Sequence, residues 1–355
     1  MRGTTIQINW WSATIAVIVL YLLAGCSIHP VRVAIVSGKD LQDRADIPKL
    51  NDELYSSGNW DAGGQIGKDI GEKNFFRVKY HPSYSVNHWM VVEGELGKGK
   101  KYPVVLDTGA SPALVVNDIH IVENKLAICP LGTNNDDSGS WGVCRLPELR
   151  IGEIRLADWL CFYREQHAEV QIFGLPIGTG KEIIAGLPAL QKFKYIVFDS
   201  IKKEVEFSLE NSFECDQPNL WAQYPFVIEQ GWGGNVFLLV EIAIAGEQIE
   251  LQLDTGSGRG LAIAEELWEK IRERIPDVKL CKGRDLYPYI GWLSCKRGII
   301  SKLEVGGRTV KDAKISIFPN DSDLIEQCEG LLGMQYFQDT VMVLDFERNL
   351  MWVKN

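Results

Sequence analysis

Two short segments of the sequence place an acidic residue in a setting suited to acid–base chemistry. They are residues 104–111 (Val-Val-Leu-Asp-Thr-Gly-Ala-Ser) and residues 251–258 (Leu-Gln-Leu-Asp-Thr-Gly-Ser-Gly). Each is an apolar run ending in Asp-Thr-Gly, so Asp107 and Asp254 are expected at the ends of strands. Two carboxyl groups about 3 Å apart share one proton and can activate a water molecule. Asp107 and Asp254 are therefore candidates for such a pair.

The two segments belong to two copies of one pattern. Asp107 and Asp254 are 147 residues apart, and the same number separates Gly186 from Gly333. These glycines end the apolar segments Ile-Ile-Ala-Gly and Gly-Leu-Leu-Gly, each 79 residues after its aspartate. The alternative is a pair of ordinary turns after strands, because Asp and Gly both suit turns. The equal spacing favours a duplicated unit.

This pattern resembles that of the aspartic peptidases of the pepsin and retropepsin superfamily, with both Asp-Thr-Gly lobes in one chain. The resemblance extends from about Phe75 to the C-terminus. It implies a mostly-β, bilobal, pepsin-like acid protease fold in which two homologous β-barrel-like lobes flank a cleft. It also implies that Asp107 and Asp254 face each other across a twofold axis.

The resemblance gives supporting roles to the residues that follow each aspartate. Thr108 and Thr255 would each bond across the lobe interface and lock the two loops together. Gly109 and Gly256 would let the backbone approach closely and offer N–H groups to the carboxylates, since glycine has no side chain in the way.

Two further pairs of positions complete the expected site. Gly186 and Gly333 would leave room beneath the two loops. The residue after Asp-Thr-Gly differs between the halves, being Ala110 in the first and Ser257 in the second. A hydroxyl there can bond the outer carboxylate oxygen and favour the charged form.

A flap over the cleft is expected between the first Asp-Thr-Gly and its glycine strand. Residues 134–142 (Asn-Asn-Asp-Asp-Ser-Gly-Ser-Trp-Gly) are polar, contain glycine and have the right place in the order. Trp141 would then stand where the family usually has a tyrosine. The alternative is an ordinary surface loop with a packing tryptophan.

The cysteines repeat between the halves as well. Trp-Gly-Val-Cys ending at Cys144 matches Trp-Leu-Ser-Cys ending at Cys295, with Cys129 and Cys281 standing 15 and 14 residues upstream. In an oxidising compartment, this parallel placement predicts the disulfides Cys129–Cys144 and Cys281–Cys295. The pairing of the other cysteines of the two lobes stays open: Cys161, Cys215 and Cys328.

Composition narrows the function classes. The 355 residues are 46% hydrophobic and 24% charged, as in an ordinary globular protein, with a net charge of −10. The sequence contains no basic block, which argues against nucleic-acid binding. Its five histidines are scattered, its cysteines lack zinc-site spacing, and no Gly-x-Ser-x-Gly or Walker motif occurs. We expect neither a metal nor a cofactor.

The N-terminal residues 1–25 have the features of a secretory signal. Arg2 precedes an apolar run at residues 13–23, which is too short to span a bilayer comfortably. The run leads into Leu-Ala-Gly-Cys at Cys26, which resembles the lipobox of bacterial lipoproteins, with Ser27 favouring the outer membrane. The resemblance implies a lipid anchor at Cys26 in the cell envelope, facing the periplasm. The alternatives are a plain signal peptide or an uncleaved anchor beginning at Trp10.

The predicted organisation follows the duplication. We expect a polar tether over residues 26–74, with a short helix near 46–54, then lobes over residues 75–212 and 213–355. Many short strands with glycine-rich turns are typical of a mostly-β protein. We expect a monomeric aspartic endopeptidase acting on protein or peptide substrates. The rivals are a non-catalytic peptide-binding module and a structural lipoprotein of the envelope.

Overall fold

Strands dominate the chain, as expected for the predicted mostly-β class, which is confirmed. The computed structural model describes residues 26–31, 64–68, 75–84, 88–97, 99–133, 140–164, 167–172, 175–231, 235–275, 278–287, 291–322, 324 and 328–354. The expected signal segment and the helix expected near residues 46–54 lie outside these ranges. Within the described ranges, no helix has the length and apolar character needed to cross a bilayer.

Within the described ranges, the first half of the chain contributes fourteen strands and the second half contributes ten. Those of the first half are β1 (Cys26–Val31), β2 (Gln65–Lys68), β3 (Phe75–Lys79), β4 (Val91–Leu96), β5 (Lys100–Asp107), β6 (Leu114–Asn117), β7 (Ile128–Thr133), β8 (Ser140–Ile151), β9 (Ile154–Arg164), β10 (His167–Ile172), β11 (Leu175–Thr179), β12 (Ile183–Gly186), β13 (Tyr195–Asp199) and β14 (Glu204–Ser208).

Eight of these strands form the sheet of the first lobe, in the order β2, β9, β6, β12, β5, β4, β8, β7. Because β8 also pairs with β9, the six strands β9, β6, β12, β5, β4 and β8 close into a barrel. Closure leaves these strands without an open edge, and β5 is held between β12 and β4. The barrel therefore fixes the end of β5, where Asp107 lies.

The ten strands of the second half lie in the same described ranges. They are β15 (Trp221–Gln230), β16 (Val236–Ile244), β17 (Glu247–Asp254), β18 (Leu261–Ala264), β19 (Cys281–Tyr287), β20 (Gly291–Val305), β21 (Arg308–Phe318), β22 (Gly330–Gly333), β23 (Val341–Asp345) and β24 (Leu350–Lys354).

The second lobe repeats the first strand for strand. Its order β20, β21, β18, β22, β17, β16 matches the order β8, β9, β6, β12, β5, β4, and a pairing of β20 with β16 closes this ring too. The pairing directions also agree, since β12 with β5 and β22 with β17 are both parallel. The predicted pair of homologous barrel-like lobes is confirmed.

A six-stranded antiparallel sheet joins the lobes, with strands in the order β15, β24, β23, β13, β14, β3. Three of its strands come from each half of the chain. The central pairing is that of β13 with β23, which runs from Tyr195 opposite Asp345 to Asp199 opposite Val341. A buried apolar cluster extends through both lobes and includes residues such as Leu106 and Leu253.

Short helices follow equivalent strands in the two lobes: α1 (Asp118–Asn124) after β6, α2 (Leu187–Leu190) after β12 and α3 (Glu265–Ile271) after β18. Single 3-10 turns lie at Pro218–Leu220, Arg272–Arg274 and Met334–Phe337. A capping box opens α1, in which Asn117 accepts from the N3 backbone and His120 accepts from the N-cap backbone. Pro188 fits the first turn of α2, where a missing N–H costs nothing.

The region expected to be a tether holds two short strands. β1 pairs antiparallel with β10, and β2 pairs antiparallel with β9. The backbone at both ends of the expected tether is therefore tied to the first lobe. In the same region, Gly64 lies where an added Cβ would be 2.0 Å from the Trp159 ring. Close packing is thus one reason for a glycine there.

Candidate active site

The two aspartates end equivalent strands. Asp107 is the last residue of β5, and Asp254 is the last residue of β17. Parallel pairing sets Gly186 beside Asp107 and Gly333 beside Asp254. Each aspartate is thus placed by a barrel strand and by the strand that the sequence pattern had paired with it.

Thr108 and Thr255 exchange hydrogen bonds between the lobes. The N–H of Thr108 donates to Thr255 Oγ1 at 3.0 Å, and the N–H of Thr255 donates to Thr108 Oγ1 at 3.1 Å. Each hydroxyl then donates to a carbonyl of the other lobe, that of Leu253 at 2.5 Å and that of Leu106 at 2.7 Å. Both threonines are fully buried, so these four bonds exclude water. They hold the two Asp-Thr-Gly loops at a fixed separation.

The glycines of the triplets lie against the opposite carboxyl group. A Cβ at Gly256 would lie 2.3 Å from Asp107 Cγ, and a Cβ at Gly109 would lie 2.9 Å from Asp254 Cγ. Any side chain at either position would therefore displace a carboxylate. The N–H of Gly109 also donates to Asp107 Oδ1 at 2.8 Å.

Gly186 and Gly333 support the loops from below through matching contacts. The N–H of Gly186 donates to the Ala113 carbonyl, and the N–H of Gly333 donates to the Gly260 carbonyl, both at 2.9 Å. A Cβ at Gly186 would lie 2.1 Å from the Pro112 carbonyl oxygen. At Gly333 the same addition would meet the equivalent backbone, 2.3 Å from a carbonyl oxygen. Only glycine lets these strands approach the loops.

The surroundings favour a protonated form of the pair. Burial raises the pKa of Asp107, although hydrogen bonds from backbone N–H groups and with Asp254 partly oppose it. The pKa of Asp254 is raised further, by burial first and then by the negative charge of Asp107 and the hydrogen bond between them. Both side chains remain partly exposed. Two such carboxyl groups titrate as one unit that keeps a shared proton.

The residues after the triplets act mainly through their backbones. The N–H of Ala110 donates to the main-chain carbonyl of Asp107 at 3.3 Å, and the N–H of Ser257 donates to the main-chain carbonyl of Asp254 at 3.2 Å. Each N–H also acts to lower the pKa of the neighbouring carboxyl group. The Ser257 hydroxyl accepts the N–H of Arg259 at 3.3 Å, which leaves its own proton able to donate. Ala110 has no such donor.

Of the expected flap, residues 140–142 begin β8, and residues 134–139 lie outside the described ranges. β7 and β8 pair antiparallel, with Thr133 opposite Ser140. Trp141 is partly buried, and its ring lies 6.0 Å from that of Phe162 at an angle of 30°. A role for Trp141 over the carboxylates stays a prediction.

The predicted disulfides are wrong, because the described cysteines form none. Cys144 lies opposite Cys161 of β9, while Cys129 lies opposite Val143. A shift of one residue puts two side chains on opposite faces of a sheet, so Cys129 and Cys144 point apart.

The second lobe also forms no disulfide between Cys281 and Cys295. Cys295 lies opposite Gly283, and Cys281 lies opposite Arg297, so the two cysteines are diagonal neighbours. Diagonal neighbours lie about 7 Å apart, beyond the Cβ separation of about 4 Å that a disulfide needs.

Sequence reasoning missed a polar cluster next to Asp254. Arg259 follows that aspartate by five residues, and its Nη1 lies 2.6 Å from Oδ1 of the buried Asp285. Gln252 and Tyr287 are also buried in this lobe, and the charges of Asp285, Arg259 and Asp254 act on Tyr287. The available signal was a departure between the copies, since Gln252 and Arg259 occupy the positions that Val105 and Pro112 hold in the first half.

Two further predictions concern lipidation of Cys26 and the absence of a metal site. Cys26 is the first residue of β1 and lies opposite Ile172 in the ladder, and nothing of its side chain is described. Within the described residues, no group of three or more histidine, cysteine, aspartate or glutamate side chains is arranged to hold a metal ion.

Comparisons with known proteins give similarities at low identity. No family model and no curated protein matches the chain. Basic 7S globulin from soybean is 12% identical, with a TM-score of 0.43, over 79% of this chain and 96% of the globulin. Conglutin gamma, a basic 7S globulin from lupine seeds, is 10% identical, with a TM-score of 0.43, over 80% and 95%.

A retropepsin-like aspartic protease from Rickettsia conorii is 16% identical, with a TM-score of 0.25, over 38% of this chain and 93% of that protein. The first two proteins are named as globulins and the third as a protease. From its own strand order, the chain has a mostly-β, pepsin-like fold in which two barrel-like lobes each carry an Asp-Thr-Gly loop.

Proposed function

We propose that this protein is an aspartic endopeptidase that hydrolyses peptide bonds with the dyad of Asp107 and Asp254. The observation that carries the proposal is the reciprocal exchange between Thr108 and Thr255, which holds two carboxyl groups of raised pKa against each other. Two carboxyl groups of raised pKa held against each other oppose folding at neutral pH. Strained groups of this type cluster at functional sites.

The first step uses the single shared proton. The ionised carboxylate accepts a proton from a water molecule while the water oxygen attacks the scissile carbonyl carbon. The protonated carboxyl group donates its proton to the carbonyl oxygen, giving a neutral gem-diol. Because the proton lost to the carbonyl is matched by the one gained from water, the dyad keeps one proton throughout.

The second step breaks the C–N bond. The dyad returns its proton to the amide nitrogen and takes one from a hydroxyl of the gem-diol, so that the products are a carboxylic acid and an amine. The fixed N–H of Gly109 holds the Asp107 carboxylate during both steps, and the N–H groups of Gly256 and Ser257 favour the charged form of Asp254. These groups need no reorganisation as the charge moves, which lowers the barrier.

The test replaces each aspartate by its amide. Asp107→Asn and Asp254→Asn should each lower kcat on a proteome-derived peptide library by about 10³-fold or more, since each removes the shared proton's site. Asp339→Asn is the control, because that side chain is 85% exposed and pairs only with Arg308 in the described chain. Its kcat should equal that of the wild type.

The outcomes separate the rival functions. Inhibition of the wild type by a pepstatin-type compound would agree with the dyad. Peptide binding without cleavage by the wild type would favour a binding module instead. Substantial turnover by either amide variant would remove the dyad from the mechanism. Melting temperatures near the wild-type value must show that the variants are folded.

We also propose that the protein is lipid-anchored in a bacterial cell envelope, on the periplasmic face. The support is the Leu-Ala-Gly-Cys sequence that ends at Cys26 after an apolar run. Cys26→Ser should abolish labelling by a fatty-acid analogue and release the protein from membranes, whereas Cys215→Ser should change neither. Unchanged labelling of the Cys26 variant would exclude the lipid anchor.

A further inference from the structure

Arg259 extends from the second Asp-Thr-Gly loop. Its backbone is held by the loop, because its N–H donates to Ser257 Oγ at 3.3 Å and its carbonyl accepts from Gln335 at 3.0 Å. Its side chain is 37% exposed, and its Nη1 donates to Asp285 Oδ1. The charged end of Arg259 is thus both anchored and open to solvent.

Asp285 is the hub of a small charged cluster. Its side chain is fully buried, and it accepts from Arg259 and Ser316 at 2.6 Å and also from Arg297. Two guanidinium groups therefore surround one carboxylate, which leaves the cluster with a net charge of about +1. Arg259, whose N–H bonds Ser257 Oγ, brings this positive charge to the second Asp-Thr-Gly loop of a chain whose net charge is −10.

Donors remain available on Arg259. A guanidinium carries five N–H donors. Within the described residues, the Arg259 side chain donates to a partner only from Nη1. The planar group can therefore hold Asp285 with one edge and a second carboxylate with another. Such paired N–H···O contacts are the strongest form of this interaction.

Tyr287 adds an unused donor next to the cluster. Its side chain is 8% exposed, and its hydroxyl has no partner within the described part of the chain. Its ring packs edge-on against Phe318 at 6.0 Å. Burial raises its pKa, and the charges of Asp285, Arg259 and Asp254 all act on it. The phenol therefore lies within electrostatic range of both the charged cluster and the dyad.

Gln252 is a further buried polar side chain close to Asp254 in the chain. It precedes Asp254 by two residues on β17, and side chains two apart share one face of a strand. It is 6% exposed, and its Oε1 lies 3.9 Å from Cys328 Sγ. In the first lobe the equivalent position is Val105, which is apolar.

We propose that Arg259, Tyr287 and Gln252 form a subsite that binds an acidic side chain, glutamate or aspartate, of the peptide substrate on the Asp254 side of the cleft. This proposal rests on the proposed peptidase function. A substrate carboxylate there accepts from the spare edge of Arg259 and from the Tyr287 hydroxyl. It neutralises the cluster's excess positive charge, and Asp285 fixes the orientation of Arg259.

The experiment uses two matched pools of octapeptides with a central Phe-Leu and degenerate flanks. One pool carries glutamate among the flanking positions and the other carries glutamine in its place. Cleavage is measured with the wild type, and affinity is measured with Asp107→Asn. We expect the glutamate pool to be favoured about tenfold or more in both measurements, the usual effect of a charge-assisted hydrogen bond.

Arg259→Gln should reduce this ratio to about one. The amide of the variant can still donate to Asp285, which protects the fold. Tyr287→Phe should lower the ratio about threefold without a change of shape. Arg284→Gln is the matched control. Arg284 is an exposed arginine on β19, the strand that carries Asp285 and Tyr287, and it lies near the Trp292 ring.

Equal handling of both pools by the wild type would overturn the subsite, and so would a preference that survives Arg259→Gln. If Arg284→Gln removed the preference to the same extent, the preference would come from general charge attraction. That result would also overturn the subsite. The failure of the peptidase proposal looks different. In that case neither pool is cleaved, and the ratio of the two affinities still decides whether the subsite exists.

Discussion

The two lobes have the same backbone plan but differ in the side chains beside their carboxylates. Val105 and Pro112 flank the loop of the first lobe, and Gln252 and Arg259 occupy the equivalent positions in the second. The loops themselves match in strand order, in the glycine beneath them and in the hydrogen bonds of the threonines. The parts that hold the dyad are thus duplicated, and the parts that would contact a substrate are not.

The helices show the same division. α1 begins with a full capping box at Asn117, while α3 begins at Ala264 without a side-chain cap. In the second lobe Asn320 supplies the missing acceptor from another segment, to the N–H of Glu266 at 2.9 Å. Equivalent backbone needs are therefore met by different residues. Matching backbones do not imply matching surfaces.

The largest expected effect comes from the glycines of the triplets. Gly256→Ala would put a Cβ 2.3 Å from Asp107 Cγ, and Gly109→Ala would put one 2.9 Å from Asp254 Cγ. We expect kcat/KM to fall at least about 100-fold in both, with the greater loss for Gly256→Ala, because misplacement of about 1 Å has that effect. Gly67→Ala is the control, since its Cβ would meet only Arg155 at 3.9 Å. Equal activity in Gly256→Ala and wild type would contradict the close approach.

The threonine exchange should be symmetric in energy. Thr108→Val keeps the shape but leaves the N–H of Thr255 and the carbonyl of Leu253 without partners. Each buried unsatisfied group costs about 1–3 kcal/mol, so the free energy of unfolding should fall by about 3 kcal/mol. Thr255→Val should cost the same to within about 1 kcal/mol. Denaturant unfolding measures both, and exposed Thr309→Val should change stability by less than about 0.5 kcal/mol.

If only one of the two valine variants lost stability, the two threonines would not contribute equally to the free energy of unfolding. The lobes would then differ even in the hydrogen bonds that the structure shows as equivalent.

The dyad should make the fold less stable as the pH rises. The pKa of Asp254 is raised in the folded state, so folding takes up a proton above the ordinary carboxyl pKa of about 3.9. Stability from the protonated pair is complete below that pH and is lost as the pH rises toward the folded pKa. Asp254→Asn removes this loss, so we expect it to be about 1 kcal/mol more stable than wild type at pH 7.

The difference should vanish near pH 3, where the carboxyl group is protonated in both states. Thermal unfolding at several pH values tests this. A variant less stable than wild type at pH 7 would show that the carboxyl group is not under strain.

The smallest effect tests the difference between Ala110 and Ser257. Ala110→Ser adds a hydroxyl that can bond the Asp107 carboxylate, which stabilises its charged form and lowers the apparent pKa of the pair. The bell-shaped profile of kcat/KM, expected at mildly acidic pH in the wild type, should move toward acid by up to about one unit. No shift, or a shift toward alkali, would show that this position does not set the proton affinity of the dyad.

The sequence predicted the site best where the information is local and repeated. Asp107 and Asp254 do end strands, and Gly186 and Gly333 lie beside them in register. The apolar runs fix the strands, and the equal spacing fixes their partners. The expected lobes and their barrel-like closure follow from the same repetition.

Prediction failed where the answer depends on register between strands distant in sequence. The register of β8 against β9 places Cys144 opposite Cys161. A register shifted by one residue would put these two side chains on opposite faces of the sheet. The polar cluster was missed for a similar reason. Arg259 and Asp285 are 26 residues apart, and only the fold brings them together.

The sheet between the lobes has a consequence for synthesis. β13 pairs along one edge with β14, which follows it at once, but its other edge waits for β23, and Tyr195 meets Asp345 only 150 residues later. At about 5–20 residues per second, a ribosome needs on the order of 10 s to supply that partner. An unpaired edge strand is a template for another chain. The nascent first half is therefore exposed to strand exchange with a neighbouring copy until the C-terminal hairpin emerges.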